Sequence, residues 1–438
     1  MRIKRTRSML MLTACIISIT GKAQLSLSGQ LRTRTEWRDG QGAPLSRGQR
    51  PAVFTSQRSR LGLLFNTPRI KTNLTFQDVR VWGQDASMIN RTTAAANNGF
   101  MLHEAWAEIV LSDTASKKNP LQLKLGRQEL IYDDQRLLGN LDWLQQGRRH
   151  DAAVLKYTHE RFALHTGGAF NQNKEQGSGT VYDNTPPGAY TASTNGAPMY
   201  KSMEFLHASL RQPKGKISLL FFADQFNTYL TDTAGGNISK TLTTGSWSRF
   251  TTGIYLTHTF NTIELSASAY HQFGKNGFGK KINGRLFSIA GSYNPGRLSV
   301  GAGTDITTPQ FDPLYGTPHK FWGLMDYFYA GSLFGNNGLA DYYIKTKIKT
   351  SDRLLIAADF HQFSPASSVA GYSRSYGQET DIVATYTLTK EISFEAGYSH
   401  FFSDPLLSSP AAKNIVNAKS QANWAYLMIN IKPSFLFK

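Results

Sequence analysis

The feature that most constrains this chain is the alternation of short and long connections between its strand-like segments. Short turns fall near Thr67-Pro68, Lys117–Pro120, His159-Glu160, Pro213–Gly215, Asn261, Asn294–Gly296, Ser351-Asp352 and Lys390. Long polar stretches fall near 38–53, 83–100, 130–150, 171–199, 228–246, 273–283, 306–338, 364–376 and 403–419. Eight short and nine long connections imply about eighteen strands, with sixteen as the alternative. Short periplasmic turns opposite long extracellular loops are what an outer-membrane barrel requires. The segments themselves have a period of two. Leu25, Leu27, Leu31, Thr33, Thr35 and Trp37 share one face, and Ser26, Ser28, Gln30, Arg32, Arg34 and Glu36 the other. Between Phe54 and Asn66, Leu61, Leu63 and Phe65 likewise alternate with Arg58, Arg60 and Leu64. The expected fold is all-β: a transmembrane antiparallel β-barrel over residues 24–438, apolar toward lipid and polar toward its lumen.

Other architectures fit less well. No apolar run of about twenty residues exists, which removes helical spans. No repeat of roughly forty residues marks a propeller. Arg2, Lys4, Arg5 and Arg7, the apolar stretch Met9 to Ile19 and the small-residue end Gly21-Lys22-Ala23 read as a secretory signal over residues 1–23. Leu12-Thr13-Ala14-Cys15 resembles a lipoprotein box, but Ile16, Ile17 and Ile19 continue the apolar run beyond it. Cleavage after Ala23 removes the only cysteine, so no disulfide is expected. The signal carries five positive charges and no acid, so its loss takes the chain from +18 to +13. For an exported chain, that balance points to an anionic partner outside the cytoplasm rather than to nucleic acid. No Gly-x-Ser-x-Gly, His-Glu-x-x-His or phosphate-cradling loop is present, and neither enzymatic activity nor a cofactor or metal is expected.

Residues 123–151 concentrate the charge. Arg127, Arg136, Arg148 and Arg149 stand among Glu129, Asp133, Asp134, Asp142 and Asp151, between two alternating strands. Such a connection is too polar for a globular core and suits the constriction of a water-filled barrel. Arg127 has the parity of Leu125, so a lumenal Arg127 calls for a bulge near Gly126. Asp133, Asp134 and Asp142 offer oxygen ligands for calcium, but their spacing is not that of an EF-hand and their neighbours are basic. Trp37, Trp82 and Trp106 fit an interfacial girdle as well as they fit sugar stacking. Phe321–Tyr329 breaks the alternation and reads as a short amphipathic turn in an outer loop, able to fold into the pore as a lid. The last strand runs from Asn423 to Ile431, with the residues after Pro433 expected as a tail.

Gly126-Arg127-Gln128-Glu129-Leu130 followed by Gly139-Asn140-Leu141-Asp142-Trp143 resembles the alginate-export outer-membrane porins. Phe76 to Trp82, Glu104-Ala105-Trp106, Phe321 through Gly338, Gly377 to Asp381 and Gly397 to Phe402 extend the resemblance in order along the chain. It implies a monomeric 18-stranded barrel whose arginine-lined constriction passes an acidic polysaccharide such as alginate. The chemistry agrees, because a guanidinium fork matches a uronate carboxylate. By motif, Arg127 is carried over, followed by Arg80, Arg136, Arg148 and Arg149; Arg58 and Arg60 enter by alternation alone. Asp78, Glu104, Glu129, Asp142 and Glu379 are the expected acidic partners in the lumen. The expectation is a passive porin for anionic solutes in a Gram-negative outer membrane. The alternative is a receptor or adhesion barrel working through its extracellular loops, such as 171–199 and 306–338. The direction of transport stays open.

Overall fold

The structure, a computed structural model, describes residues 24–83, 100–114, 120–172, 175, 177, 199–232, 239–328 and 337–437. The signal expected over residues 1–23 and most of the 171–199 loop lie outside them. The first nine strands are β1 (Gln24–Asp39), β2 (Ala52–Asn66), β3 (Ile70–Val81), β4 (Met101–Val110), β5 (Leu121–Gln128), β6 (His150–His159), β7 (Phe162–Phe170), β8 (Ser202–Gln212) and β9 (Gly215–Asp232). There follow β10 (Ser239–Phe260), β11 (Ile263–Lys275), β12 (Lys281–Tyr293), β13 (Leu298–Thr307), β14 (Leu339–Lys349), β15 (Leu354–Ser364), β16 (Gly377–Thr387), β17 (Ile392–Ser403), β18 (Gln421–Ile431) and the short β19 (Ser434–Phe437). From β1 to β18 each pairs antiparallel with its sequence neighbour, and β1 also pairs with β18 and then β19, which closes an 18-strand barrel. Closure leaves no edge, as a backbone in lipid requires. No helix among the described residues is long and apolar enough to cross a membrane.

The pleat places residues as alternation predicts on β1 and β2. Arg32, Arg34, Glu36, Ser56 and Arg58 are buried, while Leu31, Trp37 and Leu61 are exposed on the outer face. Three expectations change. The bulge lies not at Gly126 but one strand earlier, where the β3–β4 register shifts between Thr75 and Phe76. The 228–246 stretch is mostly strand, because β9 and β10 continue pairing to Asp232 and Ser239 with a bulge at Leu242/Ser246. The residues after Pro433 are no tail. Ser434–Phe437 pair with Leu25–Ser28 and complete the seam. Pro433 interrupts the ladder for want of an N–H, yet its carbonyl accepts from the Gly29 N–H at 2.8 Å.

The barrel's outer half is filled by two of its own connections. Residues 129–149 and 308–328 turn inward and join in a short parallel ladder, with Tyr315 N–H to the Leu137 carbonyl and Gly139 N–H to the Tyr315 carbonyl, both at 2.9 Å. Gly316 is required here, since a Cβ would strike the Arg136 carbonyl. Leu138, Leu141, Phe311, Leu314, Trp322, Met325, Tyr327 and Phe328 are buried against Phe363, Phe401 and Trp424 of the wall. Each such side chain contributes roughly 1.5–3 kcal/mol on leaving water, enough collectively to keep the segment inside. Phe321–Phe328 thus folds into the barrel, one of the placements that the sequence left open.

Candidate functional site

Charge chemistry in the lumen is organised by the inward segment 129–149, which is fastened to several walls. Asp142 is its centre. It accepts from Arg58 at 2.8 Å and Arg32 at 3.3 Å, with Arg60 at 3.7 Å. Burial alone would push the Asp142 carboxyl up, yet Arg58 and Arg32 hold it below the usual carboxylate range. These arginines reach it because β1 and β2 place Arg32 directly opposite Arg58, both facing inward. Several of their other donors are also engaged, although one buried Arg60 guanidinium nitrogen has no hydrogen-bond acceptor. Arg32 donates to Gln145 and the Trp143 and Leu144 carbonyls, Arg58 to Gln30, and Arg60 to Gln77 at 2.6 Å. Arg34 donates to Glu36 at 2.9 Å and lies over the Trp143 ring at 4.1 Å.

The same segment is tied elsewhere by equally specific pairs. Asp133 accepts from His207, Lys216 and Ser218 of β8 and β9 at 3.1, 2.6 and 2.7 Å. Burial would raise its carboxyl, but those three donors bring it down to about 2. Arg136 crosses to Asp305 of β13 at 2.5 Å, keeps Asp134 at 3.2 Å, and sits over Phe321 at 4.0 Å. Glu129 meets His103 at 3.0 Å, and His103 is the extra residue that the β3–β4 bulge turns inward. Arg148 donates to the Gly316 carbonyl, and Arg149 to the Gln146 carbonyl at 3.3 Å. Asp133 therefore goes to β8 and β9, Asp142 to β1 and β2, and Asp134 to Arg136 of its own segment, so the three carboxylates have separate partners.

Other expected site residues stand elsewhere. Asp78 and Arg80 pair with each other at 2.6 Å, opposite Ser59 and Gln57, on the outward face shared with Leu61 and Phe76. Arg127 shares the outward face of β5 with Leu121, Leu123 and Leu125, and forks onto Asp151 with both bonds at 2.8 Å. Without a bulge at Gly126, parity keeps it out of the lumen. These three are corrected from lumenal to outer-rim positions. Glu104 is lumenal and accepts from Trp106 at 2.9 Å and Asn73 at 3.2 Å. Glu379 is buried inside but partners no arginine. It accepts the Met325 N–H at 2.7 Å and abuts Gly323, whose φ of +83° leaves the carboxylate room that a side chain would take. Trp106 points inward with Lys124 over its ring at 3.9 Å, so it belongs to no girdle.

Beneath the inward segments, toward the short turns, lies a cavity of about 1250 Å³. Its roof is Asp142, Trp143, Thr317 and Phe321, and its wall carries Arg297, Lys345, Lys347 and Lys349. A second cavity of about 480 Å³ opens beside it between Lys124, Lys156, His165 and Lys216. Sequence reasoning placed Arg32 and Arg34 inward without seeing their partners, because pairing across 110 residues has no local signal. It missed the lysines altogether, although Lys345-Thr346-Lys347-Ile348-Lys349 carries the same alternation.

Comparison with known proteins fits this geometry. OccK3 (OpdO) of Pseudomonas aeruginosa superposes with a TM-score of 0.62 at 12% identity, over 94% of this chain and 96% of that one. OccAB2 of Acinetobacter baumannii gives 0.61 at 13%, over 94% and 98%. OccK2 (OpdF) of P. aeruginosa, solved in complex with glucuronate, gives 0.58 at 12%, over 94% and 98%. At these identities the likeness establishes the fold. No curated protein matches the chain at a significant level. Residues 23–167, which supply β1 to β6, most of β7 and the charged inward segment, match the family described as alginate export, the family that the motifs resemble.

Proposed function

We propose that this chain is an outer-membrane channel for passive passage of acidic oligosaccharides or polysaccharides, with alginate the leading substrate. The observation that carries the reading is the lumen. An 18-strand barrel encloses inward-facing guanidiniums at Arg32, Arg34, Arg58 and Arg60, above a cavity of about 1250 Å³ lined by further cations. Polyuronates bear one carboxylate per sugar, and conduction favours attraction spread over several sites that bind and release. The match to the alginate export family and the glucuronate held by OccK2 support the same substrate class. Removal of residues 1–23 as an export signal, and action as a monomer, complete the proposal. In this reading the paired arginines set the shape and potential of the constriction. Passage of a polymer further requires the 308–328 segment to yield.

The test is the reversal potential of the purified protein in a planar bilayer under a salt gradient, with and without an oligouronate. Anion preference with reversible block by the oligouronate is expected. A cation-preferring or non-conducting barrel would overturn the channel, and direct attention to the extracellular loops as a receptor surface.

A further inference from the structure

The cavity below the inward segments has an uneven lining. On β11 to β13 most of its inward residues are small, among them Ser266, Ser288, Ala290, Ser292 and Gly301, with Glu264 and Asp305 the acidic exceptions. Beside them, β14 presents Lys345, Lys347 and Lys349 inward at every second position, roughly 6.5–7 Å apart along the strand. Arg297 joins them from the short β12–β13 turn, where its carbonyl accepts the Lys349 N–H at 2.8 Å. Small neighbours leave these long side chains standing in open space.

Their partners differ. Lys345 is held by Asp359 at 2.7 Å. Lys349 has only the loose, exposed Asp352 at 3.7 Å. Among the described residues, the side chains of Arg297 and Lys347 make no ion pair. Glu264 and Glu395 also line the cavity, but on strands away from this corner, and Glu395 is engaged by Tyr426 at 2.9 Å. The corner formed by Arg297, Lys347 and Lys349 is therefore a pocket of uncompensated positive charge at the short-turn mouth.

We propose that Arg297, Lys347 and Lys349 form a loading subsite for the carboxylates of an acidic glycan that arrives from the short-turn side. The inference rests on the channel reading above and adds where that substrate is first held. Ammonium groups on flexible stems suit this task, because they attract a carboxylate as point charges without fixing its plane, and so let a chain slide onward. Weak, exposed contacts also release what they bind.

The experiment uses the full barrel inserted in one known orientation, with a defined oligouronate added to one side at a time. A neutral oligosaccharide of equal length serves as the comparison. In the triple variant Arg297→Gln, Lys347→Gln, Lys349→Gln, the concentration giving half-block from the short-turn side should rise about tenfold, with block from the loop side unchanged. Lys347→Arg should keep the wild-type block, and Lys347→Glu should weaken it further than Lys347→Gln. The proposal is overturned if the triple variant, shown folded by heat-modifiable mobility, is blocked from the short-turn side as well as the wild type. It is equally overturned if the neutral sugar blocks there as strongly. Absence of oligouronate block from both sides would sink the channel reading itself.

Discussion

On the β1–β2 wall, Arg32, Arg34 and Arg58 are buried, and their guanidinium forks are spent on Asp142, Glu36, Gln145 and backbone carbonyls. At the β13–β14 corner, Arg297, Lys347 and Lys349 stand in an open cavity among small residues, with one loose partner between them. The difference lies in what each cation is asked to do. A planar fork with five donors can knit an inward loop to a wall, and burial makes each lost partner costly. A solvated ammonium holds nothing in place and stays available to a passing anion. Abundance of arginine in a lumen is thus a poor guide to where a substrate binds. Availability is the better one.

Removing the clasp from the first wall should have the largest effect. Asp142→Asn takes the shared carboxylate from Arg32, Arg58 and Arg60, at a cost of about 1–3 kcal/mol because Asp142 itself is half exposed. Heat-modifiable mobility should shift to lower temperature, and single-channel conductance and anion preference should rise as the loop loosens. If melting and conductance both match the wild type, another contact fastens the loop.

A direct contest between the walls comes next. Lys347→Gln with Lys349→Gln should shift the reversal potential toward zero more than Arg58→Gln with Arg60→Gln does. The opposite ranking would make the clasped arginines the filter.

A smaller effect is expected in the outer loops. Lys413 of the 404–420 connection donates to the Gly42 carbonyl at 3.2 Å and to the Tyr327 carbonyl, so it pins three connections together. The residue is half-buried overall, but its ammonium end lies against the Tyr327 and Phe328 rings, and burial lowers its pKa to about 7. An undocked loop would return it to about 10.4. The docked state therefore binds fewer protons, and docking should strengthen as pH rises from about 7 toward 10. Hydrogen exchange across 404–420 should slow over that window in the wild type and stay flat in Lys413→Met. A wild-type profile that quickens on alkalinisation, after correction for intrinsic exchange, would reverse the sign and reject the account.

The smallest change belongs to Arg127→Ala. Its exposed pair with Asp151 is worth under about 1 kcal/mol, and selectivity should not move. Loss of anion preference in this variant would return Arg127 to the lumen.

The fold was largely legible because a pleated strand exposes a period of two directly in the residues, and lipid enforces it on one face. The alternation of short and long connections and the inward faces of β1 and β2 could be read that way, whereas the 228–246 stretch, expected as a loop, is mostly paired strand. The site was legible only in part. Arg58, Arg60, Glu129 and Asp142 converge, whereas Asp78, Arg80 and Arg127 face outward. For Arg127 the bulge explains this: the extra residue is His103 of β4 rather than one at Gly126, so Arg127 keeps the outward parity of Leu125, and nothing in the sequence marks that position.

Local alternation determined by itself that this chain folds as an antiparallel barrel and which residues of β1 and β2 face its interior. Only the tertiary structure decided that residues 129–149 and 308–328 turn into the lumen, that Asp142 takes up the arginines, and that Lys347 makes no ion pair among the described residues. Those outcomes depend on contacts between residues more than a hundred positions apart, which closure brings together and which no periodicity records.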